Sequence, residues 1–118
     1  MKIIMDYYPD KFPPRLGLTI HGAPHGRQHR AILQQYREAL VAIAKIEKVP
    51  IPLSCPIYLT VLYVNPTSPD IDHLDNALFS ALDGKTLKGP SVLVDDRQIW
   101  KITVSKFYPN EKTKAENR

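Results

Sequence analysis

The spacing of apolar residues along the chain predicts two helices and a set of short strands. Apolar positions recur at helical spacing over residues 28–47 and again over residues 72–82. β-Branched and aromatic residues, bounded by proline and glycine, predict strands at 15–22, 56–64 and 98–108, and a short strand or extended segment at 91–94. The segment 56–64 is apolar on both faces, which predicts a central strand.

This order of elements predicts a single small α+β domain in which two helices pack on one mixed sheet. The chain of 118 residues is long enough for one core, expected within residues 1–110 and followed by a polar tail, 111–118. The first helix should bury Ile32, Tyr36, Ala39, Leu40, Ile43 and Ile46, and expose Arg37, Glu38 and Lys45. The second should bury Leu74, Ala77, Leu78, Ala81 and Leu82.

Charge is distributed unevenly in the sequence. The net charge is +4, but the stretch from Asp70 to Asp96 holds six aspartates and two lysines, a local balance of −4, so the rest carries +8. A basic body around an acidic pocket suits a protein that binds a polyanion and a hard cation. A solvated mixed-charge surface is the alternative.

The apolar runs are too short for a membrane span, which needs about 18 residues. The opening residues, MKIIMDYYPD, lack the apolar core and cleavage site of a signal peptide, which predicts a cytoplasmic protein without a membrane partner.

Two pairs of carboxylates stand out as candidate chemistry. Asp70 and Asp72 precede the second helix, where one aspartate is expected as a cap that accepts hydrogen bonds from free N–H groups. Asp95 and Asp96 follow an apolar run, where carboxylates project from the end of a sheet. Carboxylates brought together repel unless a cation is present, and Mg²⁺ prefers oxygen ligands. Capping and a metal site are both open from these residues.

The stretch PDIDHLDNALFSALDG, followed by VDDRQIW, resembles the signature of RusA-type Holliday junction resolvases, which are phage-associated endodeoxyribonucleases. The segment TIHGAPHGRQHR is similar to the family's first strand and arginine-rich loop, so the resemblance touches most of the chain between Leu16 and Trp100. It implies a RusA-like fold and a homodimer that cuts four-way DNA junctions by paired nicks, in DNA recombination and repair.

The resemblance also implies the site residues. Asp70, Asp72 and Asp96 would be catalytic and hold Mg²⁺, or Mn²⁺ in its place, with Asp95 as a fourth ligand or an orienting group. Two positions depart from the family pattern: His73 replaces an asparagine, and Asn76 replaces a lysine that contributes to catalysis. Asn76 carries no charge to stabilise the developing phosphate charge, and a cation from elsewhere, Lys85, Lys88 or Lys101, is the alternative source. We therefore expect a metal-dependent nuclease, with a weakened or inactive binder of branched nucleic acid as the alternative.

Basic residues predict the nucleic-acid contacts. Arg27, His29 and Arg30 lie in a glycine- and proline-containing loop that allows guanidinium groups to reach phosphates, although a solvated basic loop is equally open. Lys85 and Lys88 are further candidates. Trp100 is assigned to the core or a dimer interface, with stacking on bases by Trp100 and the tyrosines as the alternative. A third class of function, an interaction protein whose aspartates only cap helices and turns, also fits.

Overall fold

The computed structural model describes residues 1–24, 29–66, 70–83 and 85–109. The predicted tail, 111–118, lies outside them. The described elements are β1 (Lys2–Tyr8), β2 (Arg15–His21), α1 (Arg30–Ile46), β3 (Ile57–Val64), α2 (Ile71–Asp83), a 3₁₀ turn (Asp96–Gln98) and β4 (Ile99–Phe107). The prediction of a small α+β domain with a mixed sheet and two helices is confirmed. No helix in the described part of the chain is long and apolar enough to cross a membrane.

The sheet contains one strand that the sequence analysis missed. β1 pairs antiparallel with β2 along its whole length. Its residues Ile3 and Met5 alternate into the core, but Ile4 between them is also apolar, so the segment lacks the alternation that marks a half-buried strand. The predicted segment 91–94 forms no strand: it bends at Val92 and Val94 and makes one isolated parallel bridge, between Leu53 and Leu93.

The strand order places both helices on one side of the sheet. The order is β1-β2-β3-β4, and the pairs β2–β3 and β3–β4 are parallel. Both crossovers advance in the same direction, so right-handed connections set α1 and α2 on the same face. Neither of the two described helices covers the opposite face. We call it the open face.

The core lies between the helices and the covered face of the sheet. The predicted stripe of α2 is buried, as Leu74, Leu78 and Leu82 illustrate. On α1 the prediction was partly wrong, because Arg37 is only 3% exposed whereas Ile46 is 70% exposed. The buried face is therefore turned toward α2. The assignment of Trp100 to the core is also wrong, since its side chain is 60% exposed.

Candidate metal centre

Three carboxylates converge where α2 ends and β4 begins. Asp83 is the last residue of α2, and Asp95 and Asp96 lie at the start of the 3₁₀ turn. One carboxylate oxygen from each of the three lies within 4.8 Å of the others. Asp83 and Asp95 are half-buried and Asp96 is exposed, so the group opens to solvent on one side. We call these three residues the acidic cluster.

The backbone around the acidic cluster is held by hydrogen bonds that begin in α2. The Leu93 N–H donates to the carbonyl of Leu82 at 3.0 Å, which brings the segment 91–94 against the helix end. The Asp96 N–H then donates to Asp83 Oδ2 at 2.8 Å. This bond orients one of the three carboxylates directly.

Gln98 holds the 3₁₀ turn in place from the other side. Its Oε1 accepts from the N–H groups of Val94 and Asp95, at 3.0 and 2.9 Å. Its Nε2 donates to the carbonyls of Leu53 and Cys55, at 2.7 and 2.9 Å. All four bonds use one side chain, so Gln98 fixes the turn to the loop before β3. The glutamine that carried part of the family resemblance therefore has a local structural role.

Asp95 is held by cations. Arg97 donates from Nε to Oδ1 at 3.2 Å and from Nη2 to Oδ2 at 3.0 Å, a two-pronged contact. The Arg97 N–H adds a bond of 2.9 Å to Oδ1, and Lys85 Nζ lies 3.7 Å from Oδ2. The side-chain and backbone hydrogen bonds from Arg97 hold the pKa of Asp95 well below its usual value. Asp95 is therefore ionised at neutral pH and already well supplied with donors.

The pKa of Asp96 is shifted in the opposite direction from that of Asp95. Its pKa is raised, mainly by hydrogen bonding with the Asp95 carboxylate and further by burial and by the charge of Asp83. A raised pKa at an exposed carboxyl is the sign of anions that crowd one another. A divalent cation would relieve that repulsion.

The donor set fits Mg²⁺ in its chemistry. The cluster offers carboxylate oxygens only, and Mg²⁺ is usually held by one or two carboxylates with water completing its coordination. Because Arg97 engages Asp95, the remaining oxygens of Asp83 and Asp96 would hold the ion, with Asp95 beside them.

The other predicted carboxylates lie at the far end of α2. Asp70 caps the helix: its Oδ1 accepts from the Asp72 N–H at 3.0 Å, and His73 Nδ1 lies 3.7 Å from its Oδ2. Asp72 is exposed in the first turn. Asp83 follows Asp72 by eleven positions, about 16 Å along the helix axis. The structure therefore brings Asp95 and Asp96 together with Asp83, and does not bring Asp70 or Asp72 to them.

The basic candidates are distributed around the acidic cluster and beyond it. The Arg30 guanidinium donates to the Thr86 carbonyl, next to Lys85. His29 is exposed at the N-cap of α1 and makes no capping bond with its side chain. Lys88 is exposed, and its backbone pairs with Gln34. Asn76 is exposed in the middle of α2. Arg27 lies outside the described residues.

Asp83 is the site residue that the sequence analysis missed. Asp83 entered only as part of the stretch that carries the family resemblance, yet an aspartate in the last turn opposes the helix dipole. The last turn of α2, as described, contains no basic residue of its own. An acid placed against the dipole was the available signal.

Comparisons of this chain with protein-family models, with curated proteins and with solved structures find no match.

Proposed function

We propose that this protein is a Mg²⁺-dependent endodeoxyribonuclease that cuts four-way DNA junctions, in recombination and repair, as a cytoplasmic homodimer. The observation that carries the proposal is the convergence of Asp83, Asp95 and Asp96 within 4.8 Å in a chain that is otherwise basic. Oxygen donors crowded in this way suit a hard divalent cation. The resemblance to RusA-type resolvases supplies the substrate class.

The residues have separable roles in this proposal. Asp83 and Asp96 hold the cation, and Arg97 and Lys85 keep Asp95 ionised and oriented beside them. Bound Mg²⁺ would lower the pKa of a coordinated water and stabilise the leaving oxygen of a phosphodiester. Lys85 lies beside Asp95 and Arg30 contacts the Thr86 carbonyl, so both would supply positive charge to DNA phosphates near the acidic cluster. Mn²⁺ is expected to replace Mg²⁺.

A second candidate function is a protein that binds branched DNA without cutting it. It is favoured by the position of Asp70 and Asp72 at the opposite end of α2 from Asp95 and Asp96. Asn76, at the position of the family lysine, also favours it. This candidate keeps the basic surface and loses the metal chemistry.

Incubation with a labelled synthetic four-way junction distinguishes these functions. Paired nicks with Mg²⁺ that disappear with EDTA support the nuclease. A shifted but intact junction under both conditions supports the binder, and no shift at all supports an interaction protein. A junction-length duplex of the same sequence is the control for non-specific binding, since phosphate contacts alone act on any DNA.

Metal binding has an independent readout. A ligand that binds only the folded state raises the melting temperature. Millimolar Mg²⁺ should raise the Tm of the wild-type protein and have no such effect on Asp83→Asn. An equal response in both proteins would remove the acidic cluster from the proposal.

A further inference from the structure

The open face of the sheet carries a regular row of side chains at one end. Strand register aligns Tyr8 with Arg15, Arg15 with Tyr58, and Tyr58 with Lys101. The row therefore alternates aromatic, cation, aromatic and cation across all four strands. Neighbouring strands lie about 4.8 Å apart, so the row spans about 14 Å. We call it the aromatic–cation row.

The row presents its rings and charges to solvent. Tyr8 is 46% exposed and Tyr58 39% exposed. The Arg15 guanidinium carbon lies 5.9 Å from the centre of the Tyr8 ring, and Lys101 Nζ lies 5.9 Å from that of Tyr58. Within residues 1–24, 29–66, 70–83 and 85–109, neither cation forms an ion pair with a carboxylate. Both charges are thus available to an anionic partner.

The surroundings of the row add space and further aromatic surface. A surface pocket beside the row is lined by Arg15, Tyr58, Leu59, Thr60, Lys101 and Thr103. A β-bulge makes Trp100 the extra residue of β4 beside Tyr58. Trp100 and Phe12 pack edge to face at this end, with ring centres 6.3 Å apart, and Phe12 is 79% exposed.

We propose that the aromatic–cation row binds a single-stranded segment of nucleic acid, with bases stacked on Tyr8 and Tyr58 and phosphates paired with Arg15 and Lys101. Proteins bind single strands by combining aromatic platforms with positive charge, and the stacking accepts any base. This surface is separate from the acidic cluster, so the proposal goes beyond the proposed function and requires neither metal nor cleavage.

Charge favours this occupant over a second copy of the chain. Strand alternation places three cations on the open face, Lys2, Arg15 and Lys101, against one acid, Asp6. A two-fold interface sets the same patch against its copy, so the excess of positive charge on this face would be doubled across it. A polyanion meets no such repulsion.

The row also lies near the acidic cluster. The 3₁₀ turn runs directly into β4, and Lys101 follows Asp96 by five residues, a separation of at most about 18 Å. A single-stranded nucleic acid bound by the aromatic–cation row would therefore pass within a few nucleotides of the acidic cluster.

The test measures binding of a fluorescent oligothymidylate by anisotropy, in EDTA, so that no cleavage enters the result. Tyr8→Thr and Tyr58→Thr should each weaken binding about tenfold, because each removes one stacking platform. Threonine preserves strand propensity, so the fold should survive. Tyr58→Phe keeps the ring and should bind like wild type.

The charges have their own readout. Arg15→Gln and Lys101→Gln should each lower the slope of log K against log salt by about 0.7. Asp6→Asn should tighten binding, because it removes the one acid that the four described strands place on this face. Matched controls are Lys45→Gln on exposed α1 surface and Phe107→Ala at the opposite end of the open face, and both should leave affinity unchanged.

Three outcomes would overturn the proposal. The wild-type protein does not bind the oligonucleotide, or the tyrosine variants bind it as tightly as Tyr58→Phe does. The third is that Tyr58→Thr and Phe107→Ala both convert a dimer to a monomer in sedimentation, which assigns the open face to a second copy. If the wild-type protein binds the oligonucleotide but does not nick the junction, the proposed nuclease function is overturned and this inference still holds.

Discussion

The two ends of α2 both carry aspartates, and the structure treats them differently. At the N-terminal end, Asp70 accepts a hydrogen bond from the Asp72 N–H, and Asp72 lies exposed in the first turn. The helix dipole favours both acids there. At the C-terminal end, Asp83 lies in the last turn, where the dipole opposes it. Capping chemistry accounts for the first pair and leaves the second end unexplained.

Asp83 is tolerated because the surrounding fold supplies compensation. The buried Arg37 of α1 donates to the carbonyls of Ala81 and Leu87, at 3.0 and 3.3 Å. Burial lowers the pKa of Arg37 and the charge of Asp83 raises it, so the two side chains interact electrostatically. Arg97 and Lys85 pair with Asp95, so Arg37 is left to offset the charges of Asp83 and Asp96. An aspartate at a helix C-terminus, where the dipole disfavours it, is therefore a better sign of function than an aspartate at a helix N-terminus, where the dipole stabilises it.

The largest expected effect is on cleavage. Asp96→Asn should reduce Mg²⁺-dependent nicking of a four-way junction by about 100-fold or more, because it removes charge that would hold the cation. Asp83→Asn should act similarly, and Asp72→Asn should cost little. Single-turnover rates at saturating protein separate this loss from weaker binding. A large loss of cleavage in Asp72→Asn and a small one in Asp83→Asn and Asp96→Asn would instead assign the metal site to the N-terminal end of α2.

The next effect is on stability at the C-terminal end. Arg37→Met should lower the free energy of unfolding by about 3 kcal/mol, since two buried carbonyls and Asp83 lose a charged donor. Urea denaturation followed by circular dichroism measures it. Arg97→Met removes the same side chain from an exposed position and should cost far less. Equal costs would contradict the role given to Arg37.

The N-terminal half of α2 is attached to the sheet by a different contact. The Tyr63 hydroxyl donates to Asp75 Oδ1 at 2.6 Å. Burial raises the pKa of Asp75, and the bond from Tyr63 partly offsets that rise. Tyr63→Phe should therefore destabilise the fold by about 2 kcal/mol at neutral pH, the value of a hydrogen bond to a charged group.

The cost of Tyr63→Phe should depend on pH. A carboxyl with a raised pKa contributes most to stability below its ordinary pKa, and that contribution is lost as pH rises. Removal of the Tyr63 donor raises the pKa of Asp75 further, so the cost should grow from acid to neutral pH. Urea midpoints below pH 4 and at pH 7 test this, with Tyr58→Phe on the open face as the matched control. A pH-independent cost would mean that the bond does not serve the ionised carboxylate.

The sequence was informative about the fold wherever one periodic signal dominated. The stripe of α2 and the central place of β3 followed from apolar spacing alone, because local pattern and burial agree there. β1 was missed because Ile4 hides its alternation, and the burial of Arg37 because its partners are carbonyls 44 and 50 residues away. Two of the three residues of the acidic cluster, Asp95 and Asp96, were candidates from the sequence. Asp83 meets them because the segment 91–94 contacts the end of α2, and no local pattern encodes that approach.

The smallest expected effect is on stability at the N-terminal end of α2. Asn76 is exposed one turn after Asp72, so Asn76→Lys forms an i, i+4 pair of acid and base. We expect stabilisation of about 0.3–0.5 kcal/mol that is lost in high salt. Asn76→Gln is the neutral control.

The same substitution reports on the site of cleavage. Position 76 precedes Asp83 by seven residues, about 10 Å along the helix axis, so a lysine there should leave junction cleavage by the acidic cluster within about twofold of wild type. A rate increase of about 100-fold would be the effect of a well-placed charge at a reacting phosphate. If adding Asp72→Asn to this variant abolished the increase, the cleavage site would lie at the N-terminal end of α2. Asp83 would then have a structural role.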